Sequence, residues 1–137
     1  MKRLLPYFPA FFCSLAIPLL SLANFRNLPD TPVLHFAGLD KVIHLLMYAA
    51  LTSFWLYPMS SKRRARPAIM LGVVLAAVLY GALMEVFQAL FTTCRAFEIL
   101  DILANLGGAM IAAAGFYFYS KWRGGKLAEN TEAAEKC

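Results

Sequence analysis

Charge is scarce in this chain, and negative charge scarcest. Asp and Glu together number 8 in 137 residues, Lys and Arg 13, and the charged fraction is 15%. A soluble domain carries charge on about a quarter of its residues, so an ordinary soluble enzyme or secreted domain is excluded. Cysteine is sparse too: Cys13 lies in an apolar run, Cys94 between two runs, and Cys137 ends the sequence. Without any Cys-x-x-Cys spacing, these read as three unrelated free thiols. No serine or cysteine nucleophile motif is present, nor any internal repeat or low-complexity segment beyond the apolar bias.

What is there is hydrocarbon. Hydrophobic residues make up 61% of the chain and gather in four runs, at residues 4–23, 41–57, 67–91 and 99–119. Crossing a bilayer takes roughly 20 mostly apolar residues, and shorter runs are tolerated when flanking groups snorkel. The second run is the shortest. This pattern predicts an all-α membrane bundle of about four transmembrane helices, with one membrane domain over residues 1–120 and a polar, mobile cytoplasmic tail over 121–137 that carries no site. Pro6, Pro9 and Pro18 predict a kinked first span whose freed carbonyls are satisfied by neighbouring helices and waters. The same stretch, from Met1-Lys2-Arg3 to Ser21-Leu22-Ala23, also has the outline of a signal peptide. Its length beyond the usual 7–15 or so apolar residues, and its prolines, favour retention over cleavage.

The net charge of +5 does not point to nucleic acid, because the basic clusters flank apolar runs and are not interleaved with aromatics. They set topology instead. On an alternating four-span path, Lys2, Arg3, Lys62, Arg63, Arg64, Arg66, Lys121, Arg123, Lys126 and Lys136 fall on one side, which is ten of the thirteen; Arg26, Lys41 and Arg95 fall on the other. Both termini are therefore expected in the cytoplasm, with residues 25–40 and 92–98 facing outward.

Polar groups inside such runs are expensive and usually face a partner or a wet cavity. Glu85 stands in a 25-residue apolar run, six residues and so about 9 Å from its outer end. Gln88 follows on the same face. Asp40, His44 and Tyr48 share a face of the second span, and Asp101 and Asn105 repeat the spacing in the fourth, with Gly108 one turn later where helices can approach closely. Arg95, in the adjoining loop, can reach the same depth. Either aspartate alone suits a helix N-terminus. A lone interfacial histidine is ordinary, the tyrosines fit aromatic belts, and Glu85 with Gln88 would serve as interhelical glue. Lys41 is different, since a cation at a helix N-terminus needs an anion beside it. Convergence of Asp40, Lys41, His44, Tyr48, Glu85, Gln88, Arg95, Asp101 and Asn105 at one depth favours a shared site over a purely structural network.

Read as D-K-x-x-H-x-x-x-Y, E-x-x-Q and R-x-x-E-x-x-D-x-x-x-N-x-x-G, these residues resemble the signature of the VanZ-like family of bacterial membrane proteins. The pattern falls on Asp40, Lys41, His44, Tyr48, Glu85, Gln88, Arg95, Asp101, Asn105 and Gly108; relatives often have glycine where this chain has Cys94. The resemblance implies a small multi-pass protein of the bacterial cytoplasmic (inner) membrane with a role in the cell envelope. The founding member is associated with low-level resistance to the glycopeptide teicoplanin.

Three functions compete. The first is a non-catalytic protein in contact with membrane lipids, binding an anionic lipid head group or a glycopeptide-type ligand through Lys41, Arg95 and His44. The second is a membrane enzyme acting on a lipid-linked substrate with His44 and Glu85 or Asp101 as acid and base. A proton-coupled carrier ranks last, because the inner half of every span is apolar and a pathway needs both halves. No cofactor and no metal is expected, since His44 with these carboxylates has no characteristic ligand spacing.

Overall fold

The computed structural model describes residues 4–22, 38–59, 66–91 and 98–135. They form four helices: α1 (Phe8–Leu22), led in by a 3-10 turn at Leu5–Tyr7; α2 (Leu39–Leu56), continued by a 3-10 turn at Tyr57–Met59; α3 (Pro67–Phe91); and α4 (Ile99–Glu135). No strand occurs among the described residues. Three segments are long and apolar enough to cross a membrane: Leu39–Met59, Pro67–Phe91 and Ile99–Leu127. The second run, expected to be the shortest, is lengthened at both ends, and α1 is the shortest helix instead. The end of α4 differs as well: the polar segment past Tyr119 continues the helix to Glu135, and Lys126 stacks its ammonium over Trp122, one turn back, at 4.7 Å. That i, i+4 contact supports the helix through Gly124 and Gly125, each of which costs about 1 kcal/mol relative to alanine.

Side-chain contacts fix the directions of the helices. Tyr7, just before α1, and Phe11, early in it, meet Trp55, late in α2, so these two helices are antiparallel. Late in α3, Glu85 meets His44, early in α2, which makes α2 and α3 antiparallel too. Asp101 and Asn105 face Lys41 and His44 in the same order, so α2 and α4 run parallel. The outer surface of the bundle is apolar, with Leu79, Leu90, Phe91 and Phe118 all exposed. Water would penalise that face, and lipid does not.

Two glycines set how closely the helices pack. A Cβ on Gly108 would overlap the Leu45 carbonyl oxygen and stand 3.0 Å from the Ala49 nitrogen, so the backbones of α2 and α4 meet there. On Gly81 of α3 it would stand 2.6 Å from Asn105 Nδ2 and 3.1 Å from the Tyr48 ring, so this gap holds polar side chains.

Of the three prolines, Pro6 and Pro9 sit in first turns, where no intrahelical N–H is needed. Pro18 lies inside α1 and has no N–H to offer the Ser14 carbonyl four residues back. Tyr80 of α3 supplies the donor, its hydroxyl donating to Ser14 O at 2.5 Å. One turn before the end of α3, Gln88 Nε2 donates to Ser21 O at 3.1 Å, satisfying a carbonyl of the last turn of α1. Neighbouring side chains thus meet the needs that a proline and a helix end create within an apolar medium.

Gly108→Ala is expected to lower stability in detergent by at least about 2 kcal/mol, because overpacking against backbone is not relieved by a rotamer change. Gly72→Ala, whose Cβ meets nothing within 4 Å, should be neutral or stabilising by up to about 1 kcal/mol. Equal shifts in thermal unfolding would show that Gly108 does not set the approach of α2 and α4. Tyr80→Phe should cost about 1–3 kcal/mol for the orphaned carbonyl and much less on a Pro18→Ala background, where residue 18 supplies its own N–H. A double-mutant cycle without coupling between positions 18 and 80 would refute that pairing.

Candidate functional site

At the end of the bundle where α2 and α4 begin and α3 finishes, the sequence-predicted polar residues come together. Two parallel helices starting side by side place two positive dipole ends there, which favours carboxylates. Asp40 and Asp101 lie in the first turns of α2 and α4. Neither caps its helix: the residue preceding α2 is Gly38, held at φ 104°, a left-handed conformation that glycine adopts without strain. At these first-turn positions the charge of each aspartate suits the positive end of its helix.

Lys41 finds the anions its position requires. Its Nζ donates to Glu98 Oε2 at 2.6 Å and lies 3.4 Å from Asp101 Oδ1. The second contact is an ion pair without hydrogen-bond geometry, since Asp101 Oδ1 makes no hydrogen bond among the described residues. Lys41 and Glu98 are at the half-open mouth of the cluster, with side chains 35% and 50% exposed, whereas Asp101 is almost wholly enclosed.

One turn deeper the cluster closes. His44, Glu85, Gln88, Asp101, Asn105 and Tyr48 are all buried. His44 Nδ1 lies 3.1 Å from Asn105 Oδ1 and 3.6 Å from Glu85 Oε1. Two oxygens converge on that nitrogen, so the ring proton is assigned to Nδ1, which donates to Asn105, and the lone pair to Nε2. Among the described residues, Glu85 Oε1, Asn105 Nδ2 and Tyr48 Oη lack a hydrogen-bond partner although buried. Such groups are costly and mark places where a further partner belongs. Tyr48 also packs its ring against Tyr80 at 6.5 Å between centroids, which links the cluster to the apolar interior.

Of the nine residues expected to converge, α2, α3 and α4 bring together Asp40, Lys41, His44, Glu85, Asp101 and Asn105, with Tyr48 and Gln88 on the adjoining inner faces. Gln88 is directed to α1. Arg95 lies outside the described residues. Glu98 is the residue that sequence reasoning passed over. Its signal was present in the demand of Lys41 for an anion and in the spacing Glu98–Asp101, which places both on one face of α4. Ser21 takes part through its carbonyl, which side-chain identity does not reveal.

With this geometry in view, comparison with known proteins gives two matches. The chain matches the VanZ/LLP1 family over residues 7–120. It is 32% identical over 111 residues, 80% of this chain, to an uncharacterised protein of the fission yeast Schizosaccharomyces pombe, and spans 65% of that relative's length. No solved structure matches it. The family match runs from α1 through the apolar part of α4 and includes every residue of the polar cluster; this helical membrane protein belongs to the VanZ/LLP1 family.

Proposed function

We propose that the protein binds a membrane lipid, with an anionic head group at the mouth of the polar cluster and an acyl chain in the apolar interior of the bundle. The observation that carries this reading is a cleft of about 520 Å³ lined by Ser14, Leu51, Trp55, Gly72, Ala77 and Tyr80, among others. It is almost entirely apolar, and it begins one helical turn below Tyr48, with Tyr80 shared between the cleft and the tyrosine contact. From Tyr80 to Ile69 it follows α3 for about 16 Å. A polar site next to an elongated apolar slot suits an amphiphile better than a water-soluble ligand. Lys41 at the mouth is the described cation positioned for a phosphate, with Arg95 in the following loop as its expected companion.

The basic residues Arg66, Lys121, Arg123 and Lys126 lie at the other end of the spans from the cluster, which supports an orientation with that end in the cytoplasm and the lipid site in the opposite leaflet.

The reading is tested with phosphatidylglycerol carrying a photoreactive acyl chain, in liposomes of phosphatidylcholine. Labelling should map to α1, α2 and α3 around Trp55 and Tyr80. Filling the cleft with Gly72→Leu and Ala76→Leu should reduce it about tenfold, the factor equivalent to 1.4 kcal/mol. Lys41→Gln should remove the preference for the anionic probe over its phosphatidylcholine counterpart. Identical labelling of wild type and both variants would dispose of the proposal, and conversion of the lipid to a product that Glu85→Gln does not make would reassign the site to catalysis.

A further inference from the structure

Four carboxylates, Asp40, Glu85, Glu98 and Asp101, gather at one end of the bundle. Two of those carboxylates are deeply buried, Glu85 at 1% and Asp101 at 4% exposure. Each presents an oxygen without a hydrogen bond from a described residue, with Lys41 Nζ 3.4 Å from Asp101 Oδ1 and His44 Nδ1 3.6 Å from Glu85 Oε1. Burying a carboxylate without its full set of partners is costly, and a helix dipole offsets only part of that cost. These two buried oxygens mark where a further partner belongs.

The donors for it are already assembled. One ligand atom each from Asp40, His44 and Asp101 lie within 4.8 Å of one another. Asp40 and His44 come from successive turns of α2 and Asp101 from the first turn of α4, so the parallel packing at Gly108 completes the set. A second observation, separate from the carboxylates, points the same way. With Nδ1 engaged by Asn105 and faced by Glu85, His44 is held in the tautomer whose Nε2 keeps its lone pair. Metal-binding histidines are oriented in this manner, donating the other ring N–H to a carboxylate or carbonyl oxygen.

We infer that Asp40, His44 and Asp101 form a binding site for a divalent first-row transition metal, zinc or manganese, with Asn105 and Glu85 orienting the histidine. Two carboxylate oxygens and one imidazole nitrogen match these borderline ions. Calcium takes six to eight oxygens, and magnesium keeps most of its water. At about 2.1 Å from each donor, a tetrahedral ion draws its ligand atoms to within roughly 3.5 Å of one another. Asp40 is half-buried at the rim and can take up that adjustment. Lys41 is the competitor, its ammonium standing 3.4 Å from Asp101; when the ion enters, Lys41 stays with Glu98, to which it is already bonded at 2.6 Å. Three protein ligands leave a coordination position open. On the lipid-binding reading, that position accepts a head-group phosphate oxygen, but occupancy by the ion does not depend on that reading.

The full chain in mild detergent, treated with chelator and dialysed, is titrated with Co²⁺ followed by its visible absorption, and with Zn²⁺ and Mn²⁺ by calorimetry. One ion should bind per chain with Kd on the order of micromolar, about −8 kcal/mol at that affinity, and Zn²⁺ should displace Co²⁺. Asp40→Asn and His44→Gln should each weaken binding at least about tenfold, the usual range for altering a metal-site residue. Lys41→Gln should strengthen it, a result that a merely structural network would not give and that requires a folded protein. Absence of binding at millimolar metal, or an affinity unchanged by both Asp40→Asn and His44→Gln, overturns the site. Lipid labelling without metal binding also overturns it while leaving the lipid reading intact; metal binding without lipid labelling does the reverse.

Discussion

The absent side chain at Gly108 is the constraint on which the rest of this structure depends. Because α4 presents no Cβ there, its backbone meets that of α2 at Leu45 and Ala49, and the parallel pair is held in register above that contact. Asn105 then faces His44 and, one turn further out, Asp101 faces Lys41. A methyl group would move the helices apart and shift every one of these distances. Gly81 acts similarly on the third side: the space it leaves is filled by the Asn105 amide and the Tyr48 ring, which brings α3, and with it Glu85, against the pair. Small residues permit close helix approach where hydrophobic association cannot supply the driving force.

Much of this was legible in the sequence because a membrane makes errors of placement expensive. The limits of α3 fall at Pro67 and Phe91 as the apolar run indicates, since the run is long, uniform and bounded by a proline suited to a first helical position. The polar residues inside the runs were legible for the same reason: Glu85 in hydrocarbon needs a partner, and His44 supplies a neighbour at 3.6 Å. Less legible was the end of α4, where two glycines and a polar composition read as a departure from helix. There a side-chain contact, Lys126 over Trp122, sustains it. Hydropathy marks the apolar part of such a helix, and a solvated continuation has no comparable signal. Least legible were the backbone partners. Pro18 announces that the Ser14 carbonyl will be orphaned, but only packing reveals that Tyr80 answers it.

That pairing, with Gln88 on Ser21, gives α1 its place. By length α1 is the weakest of the four as a spanning segment, and its outward side chains are Leu and Phe that carry no specificity. Two hydrogen bonds from α3, together with Tyr7 and Phe11 around Trp55 and the Trp55 indole donating to Ser14 Oγ at 3.4 Å, dock it against a surface on which hydrophobic contact alone has little preference for one register. The apolar cleft is one result of this docking, for Ser14, Trp55 and Tyr80 are both the docking contacts and part of the cleft wall.

The distribution of polarity with depth is the reason the proposed role is binding and not transport. Asp40, Lys41, His44, Asp101 and Asn105 lie within the first two turns of α2 and α4, and Glu85 and Gln88 within the last two of α3. The half-exposed pair Lys41–Glu98 opens this end, and Tyr48 and Tyr80 mark where the polar cluster gives way to the apolar interior. Beyond them the described residues are mostly apolar, with Thr52 a buried exception, and no further carboxylate or imidazole among them continues the cluster across the bundle. A carrier needs polar groups on both sides of the midplane; a protein that captures a charged head group at one surface needs one mouth and side chains held in place by closely packed helices. The α2–α4 contact at Gly108, between Leu45 and Ala49, lies at the level of Tyr48, so the same close packing fixes the side chains of the cluster.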